Sequence, residues 1–352
     1  MTPRIPIGIL GVTGLVGRRA LVRLSAHPWF EVVEGGASDA SVGVTLESLR
    51  RRGSEESGRT DRGSGGREVS GICRALEGAW SAPILVSALP AAVARDLEPR
   101  LAAAGHLVVS NASAHRADPE IPLVMPDVNP DHADLVGTTG GILTNPNCSV
   151  ATFVPPLARL HRAFGIEAVT VTSLQAVSGA GSRGPSLLDL ADNVIPQITG
   201  EEEKLQREPR KILGRIEDDR IEAAGFPVSA TTTRVPVLHG HLVDVSVRLG
   251  GAPAPEEARE ILARGPDVVV GDGPTLRDLV LRVTDDPMRP QPRLDRDARR
   301  GMEITIGRLR ACPVMGLRFL ALAHNLERGA AGAAVANAEL ARVRGLIPGV
   351  GA

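Results

Sequence analysis

An apolar run at residues 5–10 leads directly into Gly11-Val12-Thr13-Gly14-Leu15-Val16-Gly17, and an amphipathic stretch at 18–25 follows. A strand, a glycine turn and a helix in that order constrain the fold more than any other part of the chain. Gly11, Gly14 and Gly17 permit a tight turn, let backbone N–H groups approach a pyrophosphate, and let the helix pack closely on the strand. Glycines at this spacing also serve ordinary turns, so the flanking strand and helix are what make the pattern a nucleotide-site candidate. The rhythm continues with strands at 30–37, 82–89 and 106–110 and a helix at 91–104. Alternating β and α segments imply a parallel sheet, which binds ligands beyond the C-terminal ends of its strands.

Those ends carry the next candidates. Ser38-Asp39 closes the second strand, and Asp39 falls about 20 residues past the fingerprint, where an acid can accept from a ribose 2′-OH; an exposed loop acid reads equally well. Asn111-Ala112-Ser113-Ala114-His115-Arg116 closes another strand and offers Arg116 for a phosphate or carboxylate, or as a surface arginine. Residues 50–68 are rich in Arg, Gly, Ser and Glu without periodicity, which predicts a surface loop.

The second half turns on Thr144-Asn145-Pro146-Asn147-Cys148-Ser149-Val150, which presents a cysteine just before a helical segment at 149–164. Cys148 is either a nucleophile or a buried structural thiol. Strands follow at 168–175, 230–237, 241–249, 268–270, 302–308 and 317–323, with helices at 200–214 and 256–263 and an extended proline-containing loop at 289–295. This pattern predicts a second α/β domain with a mixed sheet. An alanine-rich helix at 329–344 has an apolar face suited to packing back on the first domain. The expected division is 1–147, 148–328 and a C-terminal element at 329–352. Lysine occurs only at Lys204 and Lys211, and Glu201 shares a helix face with Lys204 as a candidate surface ion pair.

A chain of 352 residues supports two cores. A formal net charge of -1 provides no field for nucleic acid or an anionic membrane. Cys73, Cys148 and Cys312 are too few and too scattered for a disulfide framework or a zinc cluster, which points to a reducing compartment. His239 and His241 lack the neighbouring Cys, His or acid that a metal site needs. No apolar run reaches membrane-spanning length, and the expectation is a cytoplasmic protein acting on a small molecule.

A cysteine where a turn enters a helix has its thiolate favoured by the helix N-terminus, and neighbouring N–H groups can stabilise an oxyanion on an attacked acyl carbon. His241, following Gly240, can relay a proton. The fingerprint, Asn111 to Arg116, Asn145-Pro146-Asn147-Cys148-Ser149, Gln175-Ala176-Val177-Ser178-Gly179-Ala180-Gly181, Gly200-Glu201-Glu202-Glu203-Lys204, Arg234 through His241, and His324-Asn325 with Arg328-Gly329-Ala330-Ala331-Gly332 together resemble aspartate-semialdehyde dehydrogenase, in its archaeal and fungal branch. The resemblance runs nearly end to end. It implies a Rossmann-type dinucleotide-binding domain and an α/β catalytic and dimerisation domain with a mixed sheet. It implies that Cys148 attacks an acyl phosphate to give a thioester, with Gln175 orienting the acyl group and His241 as acid and base. Arg234, helped by Glu201, would hold the substrate carboxylate, Arg116 and Lys204 would bind the phosphate, and Asn147 would lie beside the substrate. Gly11, Thr13, Gly14, Leu15, Val16, Gly17 and Ser38 would hold the nucleotide and Ser178, Gly179 and Asn325 the nicotinamide. NADP is the implied cofactor, with NAD as its alternative, and a homodimer or homotetramer the implied assembly, in amino-acid biosynthesis.

The chain departs from the family at several points. Ser38 is followed by Asp39 and Ala40 where the family often carries an arginine and a nearby lysine for a 2′-phosphate, which predicts weak discrimination between NADP and NAD. Leu242-Val243 follows His241 in place of a polar pair, Leu326-Glu327 follows His324-Asn325, and the 50–68 stretch has no counterpart. A related acyl reductase with another donor, such as malonyl-CoA, and a non-catalytic dinucleotide-binding protein are the rival readings.

Overall fold

The computed structural model describes residues 3–58, 66–181, 184–265 and 271–351. They fall into two compact units, one made of Met1–Val124, Asp131–Asn145 and Ala330–Ala352, the other of Met125–Pro130 and Pro146–Gly329.

The first unit contains β1 (Ile5–Leu10), α1 (Leu15–Ser25), β2 (Phe30–Ala37), α2 (Leu46–Glu56), β3 (Cys73–Ala75), β4 (Ile84–Ser87), α3 (Ala91–Ala103), β5 (Leu107–Ser110) and β6 (Gly141–Thr144). Its strands pair in the order β3-β2-β1-β4-β5-β6, all parallel. The order reverses between β1 and β4, the switch point at which such sheets receive ligands. Ile7, Ile9, Ile84, Leu85 and Leu107 are fully buried, as expected of parallel strands covered on both faces.

The 50–68 stretch is not a loop throughout. Thr45 accepts the Ser48 N–H at 3.3 Å and starts α2, which runs to Glu56; residues 59–65 lie outside those described. The helix shows little periodicity because its buried stripe has only two large apolar residues, Leu46 and Leu49, beside Arg50, Gly53 and Ser54, and a Cβ on Gly53 would sit 2.9 Å from the Arg18 carbonyl oxygen of α1. Glu47 pairs with Arg50 and Arg51, and Glu56 with Arg52, so the charges that suggested a loop stabilise a helix face.

The second unit contains α4 (Val150–Phe164), β7 (Ile166–Gln175), α5 (Glu201–Ile212), β8 (Arg215–Glu217), β9 (Arg220–Glu222), β10 (Val228–Arg234), β11 (His241–Leu249), α6 (Pro255–Ala263), β12 (Leu281–Val283), one-turn helices α7 (Pro292–Asp295) and α8 (Ala298–Gly301), β13 (Ile304–Cys312) and β14 (Gly316–Ala323). Its six-stranded sheet has the order β10-β7-β11-β14-β13-β12 and is mixed, with β10 parallel to β7 and β12 to β13. Alternation along β11 buries Val243, Val245 and Val247 on the face covered by α4 and leaves Leu242, Asp244 and Ser246 half-buried on the other. The strand expected at 268–270 lies outside the described residues. The 289–295 loop ends in a helical turn, because Asp295 accepts from Arg289, Arg282 and the Gln291 N–H.

The chain returns to the first unit through α9 (Gly332–Val343). Asn337, fully buried, donates to the Val124 carbonyl and the Asn145 side chain, and Glu339 pairs with His27 at 2.8 Å.

Candidate active site

Strand directions gather three functional side chains at one end of the second sheet. β7 and β10 are parallel and in register, so their last residues, Gln175 and Arg234, are partners. β11 runs the opposite way and begins where they end, and His241 is its first inward residue. β14 pairs Ala323 with His241, which brings His324-Asn325 to the same end.

Cys148 arrives on the turn before α4, and Asn147 shapes that turn. The Asn147 Oδ1 accepts the Ser149 N–H at 2.8 Å, and Nδ2 donates to Glu201 Oε2 at 2.7 Å. An Asn here caps the helix start as its residue type predicts. The Asn147 N–H itself donates to Glu208 Oε2 at 2.6 Å. The N–H groups of Asn147 and Ser149 are therefore already engaged, and the expectation that turn N–H groups receive an oxyanion does not hold for these two.

The sulfur lies 3.1 Å from His241 Nε2. On the other side of the ring, Nδ1 accepts the Ala176 N–H at 3.0 Å. A backbone N–H can only donate, so the neutral tautomer carries its hydrogen on Nε2, facing Sγ. Complete burial, reinforced by the Arg234 guanidinium, pushes the imidazole down to about 3, with Glu201 opposing. Neutral imidazole is the resting form.

Arg234 is buried and donates to the Ala176 carbonyl at 2.8 Å. Burial lowers the affinity of its guanidinium for the proton, and Cys148 and Glu201 work the other way. Burial alone would raise the Glu201 carboxyl; Lys204 at 2.6 Å, Asn147 and Gln175 outweigh it and hold the group below the ordinary carboxylate range. Glu201 with Lys204 is thus a half-buried pair wired to the nucleophile turn, not a solvated surface pair.

The 177–180 turn lies against the same group. A Cβ on Gly179 would sit 2.9 Å from His241 Cε1 and 3.0 Å from Arg234 Nη1. Ser178 Oγ meets His239 Nδ1 at 2.8 Å and receives Asn325 Nδ2 at 3.0 Å, while Asn325 Oδ1 accepts the Gly240 N–H at 2.9 Å. Asn325, 1% exposed, therefore ties the Ser178 turn to the strand that carries His241.

The remaining predicted residues lie in the first unit. Gly11 has φ +76, and a Cβ on Gly17 would sit 2.2 Å from the Gly11 carbonyl oxygen, so both positions require glycine. Gly14 is exposed at the start of α1, whose first turn holds no acid, and Thr13, Leu15 and Val16 are half-buried around it. This arrangement fits a pyrophosphate. Ser38 and Asp39 are exposed at the end of β2. Arg116 is buried and donates to the Asn111 carbonyl at 2.6 Å. Among the described residues no group of three or more His, Cys, Asp or Glu could hold a metal ion.

Two residues escaped the sequence reading. Glu208 falls on the buried α5 stripe with Leu205 and Ile212, seven residues after Glu201, and a glutamate in an apolar stripe is the signal that could have found it. Gly329 sits inside Arg328-Gly329-Ala330-Ala331-Gly332, but nothing in the sequence says that it touches Cys148.

Comparison with known proteins places this geometry. The model for "Semialdehyde dehydrogenase, NAD binding domain" matches residues 6–136, and that for "Semialdehyde dehydrogenase, dimerisation domain" matches 157–328. The aspartate-semialdehyde dehydrogenase of Archaeoglobus fulgidus is 42% identical, covering 96% of this chain and 98% of its own; that of Cryptococcus neoformans is 40% identical, covering 98% and 99%. The crystal structure of the Candida albicans enzyme with NADP superposes with a TM-score of 0.84 at 33% identity, covering 98% of this chain and 100% of that one. A Vibrio cholerae aspartate-semialdehyde dehydrogenase II complexed with ASA gives a TM-score of 0.77 at 26% identity, covering 97% and 99%.

Proposed function

The chain belongs to the aspartate-semialdehyde dehydrogenase family, and on that premise we propose that it interconverts L-aspartyl 4-phosphate and L-aspartate 4-semialdehyde with NADP, through a thioester on Cys148. The observation that carries the mechanism is the 3.1 Å contact between Cys148 Sγ and His241 Nε2, with Gln175 and Arg234 at the same end of the sheet.

In the reductive direction the sulfur attacks the acyl carbon of the acyl phosphate. A C–S bond forms, the C–O bond to phosphate breaks, and phosphate leaves and takes up a proton. Bound NADPH supplies the hydride that reduces the thioester; the C–S bond of the resulting thiohemiacetal then breaks, releasing aldehyde and thiolate. His241 faces the sulfur through Nε2 and is the group through which a proton reaches or leaves the reacting centre. In the neutral tautomer the Nε2 hydrogen points at the sulfur and favours the thiolate, and burial disfavours the imidazolium, so the ring does not retain a second proton. Arg234 binds the substrate carboxylate, and Gln175 and Asn147 border the acyl group. Glu201 aligns Asn147 and Gln175. Lys204 and Arg116 are the cations we assign to the phosphate. Gly11 through Gly17 and Ser38 take the nucleotide, and Ser178, Gly179 and Asn325 take the nicotinamide end.

Residues matching the dimerisation model include the half-exposed sheet face with Leu242, Asp244 and Leu320, which supports a homodimer or a dimer of dimers. Among the described residues no helix is long and apolar enough to cross a membrane, and we assign the enzyme to the cytoplasm.

The test is turnover in both directions: NADPH oxidation with aspartyl phosphate, and phosphate-dependent NADP reduction with aspartate semialdehyde, both abolished in Cys148→Ser. Turnover of an acyl-CoA with neither of these substrates would replace the reading, as would failure of a thiol-directed substrate analogue to label Cys148.

A further inference from the structure

We propose that Glu208 is a positioning residue for the nucleophile: by accepting the Asn147 N–H it fixes the Pro146–Asn147 peptide at the entry to the turn, and with it the placement of the backbone from which the Cys148 Sγ projects. The proposal rests on the reading of Cys148 as nucleophile.

Glu208 is 1% exposed and lies on the buried face of α5 between Leu205 and Ile212, a face that also carries Glu201 and Lys211. A carboxyl in such a place is costly unless it makes strong hydrogen bonds. Its Oε2 meets the Asn147 N–H at 2.6 Å, at the short end of the range and typical of a charge-assisted bond. Glu201, two turns earlier on α5, meets the Asn147 side chain at 2.7 Å. One helix thus grips one residue at its backbone and its side chain, through two glutamates whose Cα positions are about 10 Å apart along the axis. The Asn147 Oδ1 then caps Ser149, so the residues on both sides of Cys148 are held. Gly329 lies so close to Cys148 that a Cβ there would meet the Cys148 Cβ at 2.6 Å, which closes one direction of movement. Rotation of the Pro146–Asn147 peptide that Glu208 holds would shift the Cys148 backbone and change the Sγ to His241 distance. A glutamate here also places negative charge near a sulfur that must ionise, so charge cannot be its contribution to reactivity; hydrogen-bond reach is.

Two conservative variants separate the explanations. Glu208→Gln keeps the acceptor and loses the charge. Glu208→Asp keeps the charge and withdraws the acceptor by about 1.5 Å. We expect Glu208→Gln to retain kcat within about threefold and Glu208→Asp to lose at least about tenfold, because misplacing a reacting atom by about 1 Å costs up to 100-fold. KM for aspartate semialdehyde should move less than about twofold in either, since Arg234 is untouched. The pH profile of Cys148 alkylation by iodoacetamide should keep the wild-type plateau in Glu208→Gln, with its midpoint unchanged or moved to lower pH, and show a lower plateau in Glu208→Asp. The proposal is overturned if folded Glu208→Asp alkylates and turns over at the wild-type rate, or if Glu208→Gln suffers the larger loss. Wild-type Cys148 that resists alkylation, or an active Cys148→Ser, would instead sink the nucleophile reading.

Discussion

No side chain fits at Gly329 without moving Cys148: a Cβ there would lie 2.6 Å from the Cys148 Cβ and 2.8 Å from its Cα. Gly329 sits in the π-helical turn Glu327–Ala331, a form enriched at functional sites. Gly329→Ala should cost about 1–3 kcal/mol of stability and lower kcat at least about tenfold through displacement of the sulfur. Thermal unfolding and steady-state kinetics check both; an alanine variant with unchanged kcat would show that the turn absorbs the methyl group.

His241 makes acidification destabilising. Its imidazole is pushed down to about 3 in the fold, so the unfolded chain takes up a proton below about 6.5 that the folded chain refuses. The stability it contributes is complete above 6.5 and is lost as pH falls toward 3. By pH 4.5 the loss should reach on the order of 2 kcal/mol. Denaturant unfolding of wild type and His241→Gln between pH 7 and 4.5 should show the steeper decline in wild type; parallel curves would refute it.

Asp295 works through a depressed carboxyl. Burial raises it, but hydrogen bonds from Arg289, Arg282 and the Gln291 N–H bring it down to about 2. Its contribution is present above about 4 and lost as pH falls toward 2. Asp295→Asn should cost about 1–2 kcal/mol at neutral pH, discounted because Arg282 is partly in water, with the deficit closing below pH 4. Chemical unfolding at pH 7 and pH 3 measures it, and a deficit independent of pH would count against the ion pair.

Asp39 stands exposed where the cofactor's 2′-substituent is expected. A carboxylate accepts from a free hydroxyl and repels a phosphate. The kcat/KM ratio for NADP over NAD should therefore lie within about tenfold of unity and rise at least about tenfold in Asp39→Arg. A strong NADP preference in wild type, unaffected by the substitution, would remove Asp39 from the cofactor site.

Local pattern was enough for the elements with long apolar runs and diagnostic turns. The glycine fingerprint, the parallel strands that follow it, the Cys148 turn and β11 with His241 at its head all follow from period and residue type. The short strands β3 and β6 escaped because Cys73–Ala75 and Gly141–Thr144 lack the run of three consecutive branched apolar residues that marks β4 and β5. α2 escaped because Gly53 replaces an apolar residue where two helices touch, and that need is visible only with Arg18 in place. Glu201 with Lys204 read as a surface pair because spacing on one helix cannot reveal that Asn147 and Gln175 approach from other elements.

The sequence alone determined which side chains are available for chemistry and much of the local conformation that presents each: a cysteine on a turn before a helix, a glutamine closing a strand, a histidine opening one, and an arginine within a strand expected at 230–237 that the structure ends at Arg234. Tertiary structure decided their relations. Whether His241 offers Nε2 to the sulfur depends on an N–H from Ala176, 65 residues away, and the aim of that sulfur depends on a buried carboxyl 60 residues past it. Contacts at such separations are set by strand order and helix packing, which bring distant segments together at distances of a few ångströms that no local pattern encodes.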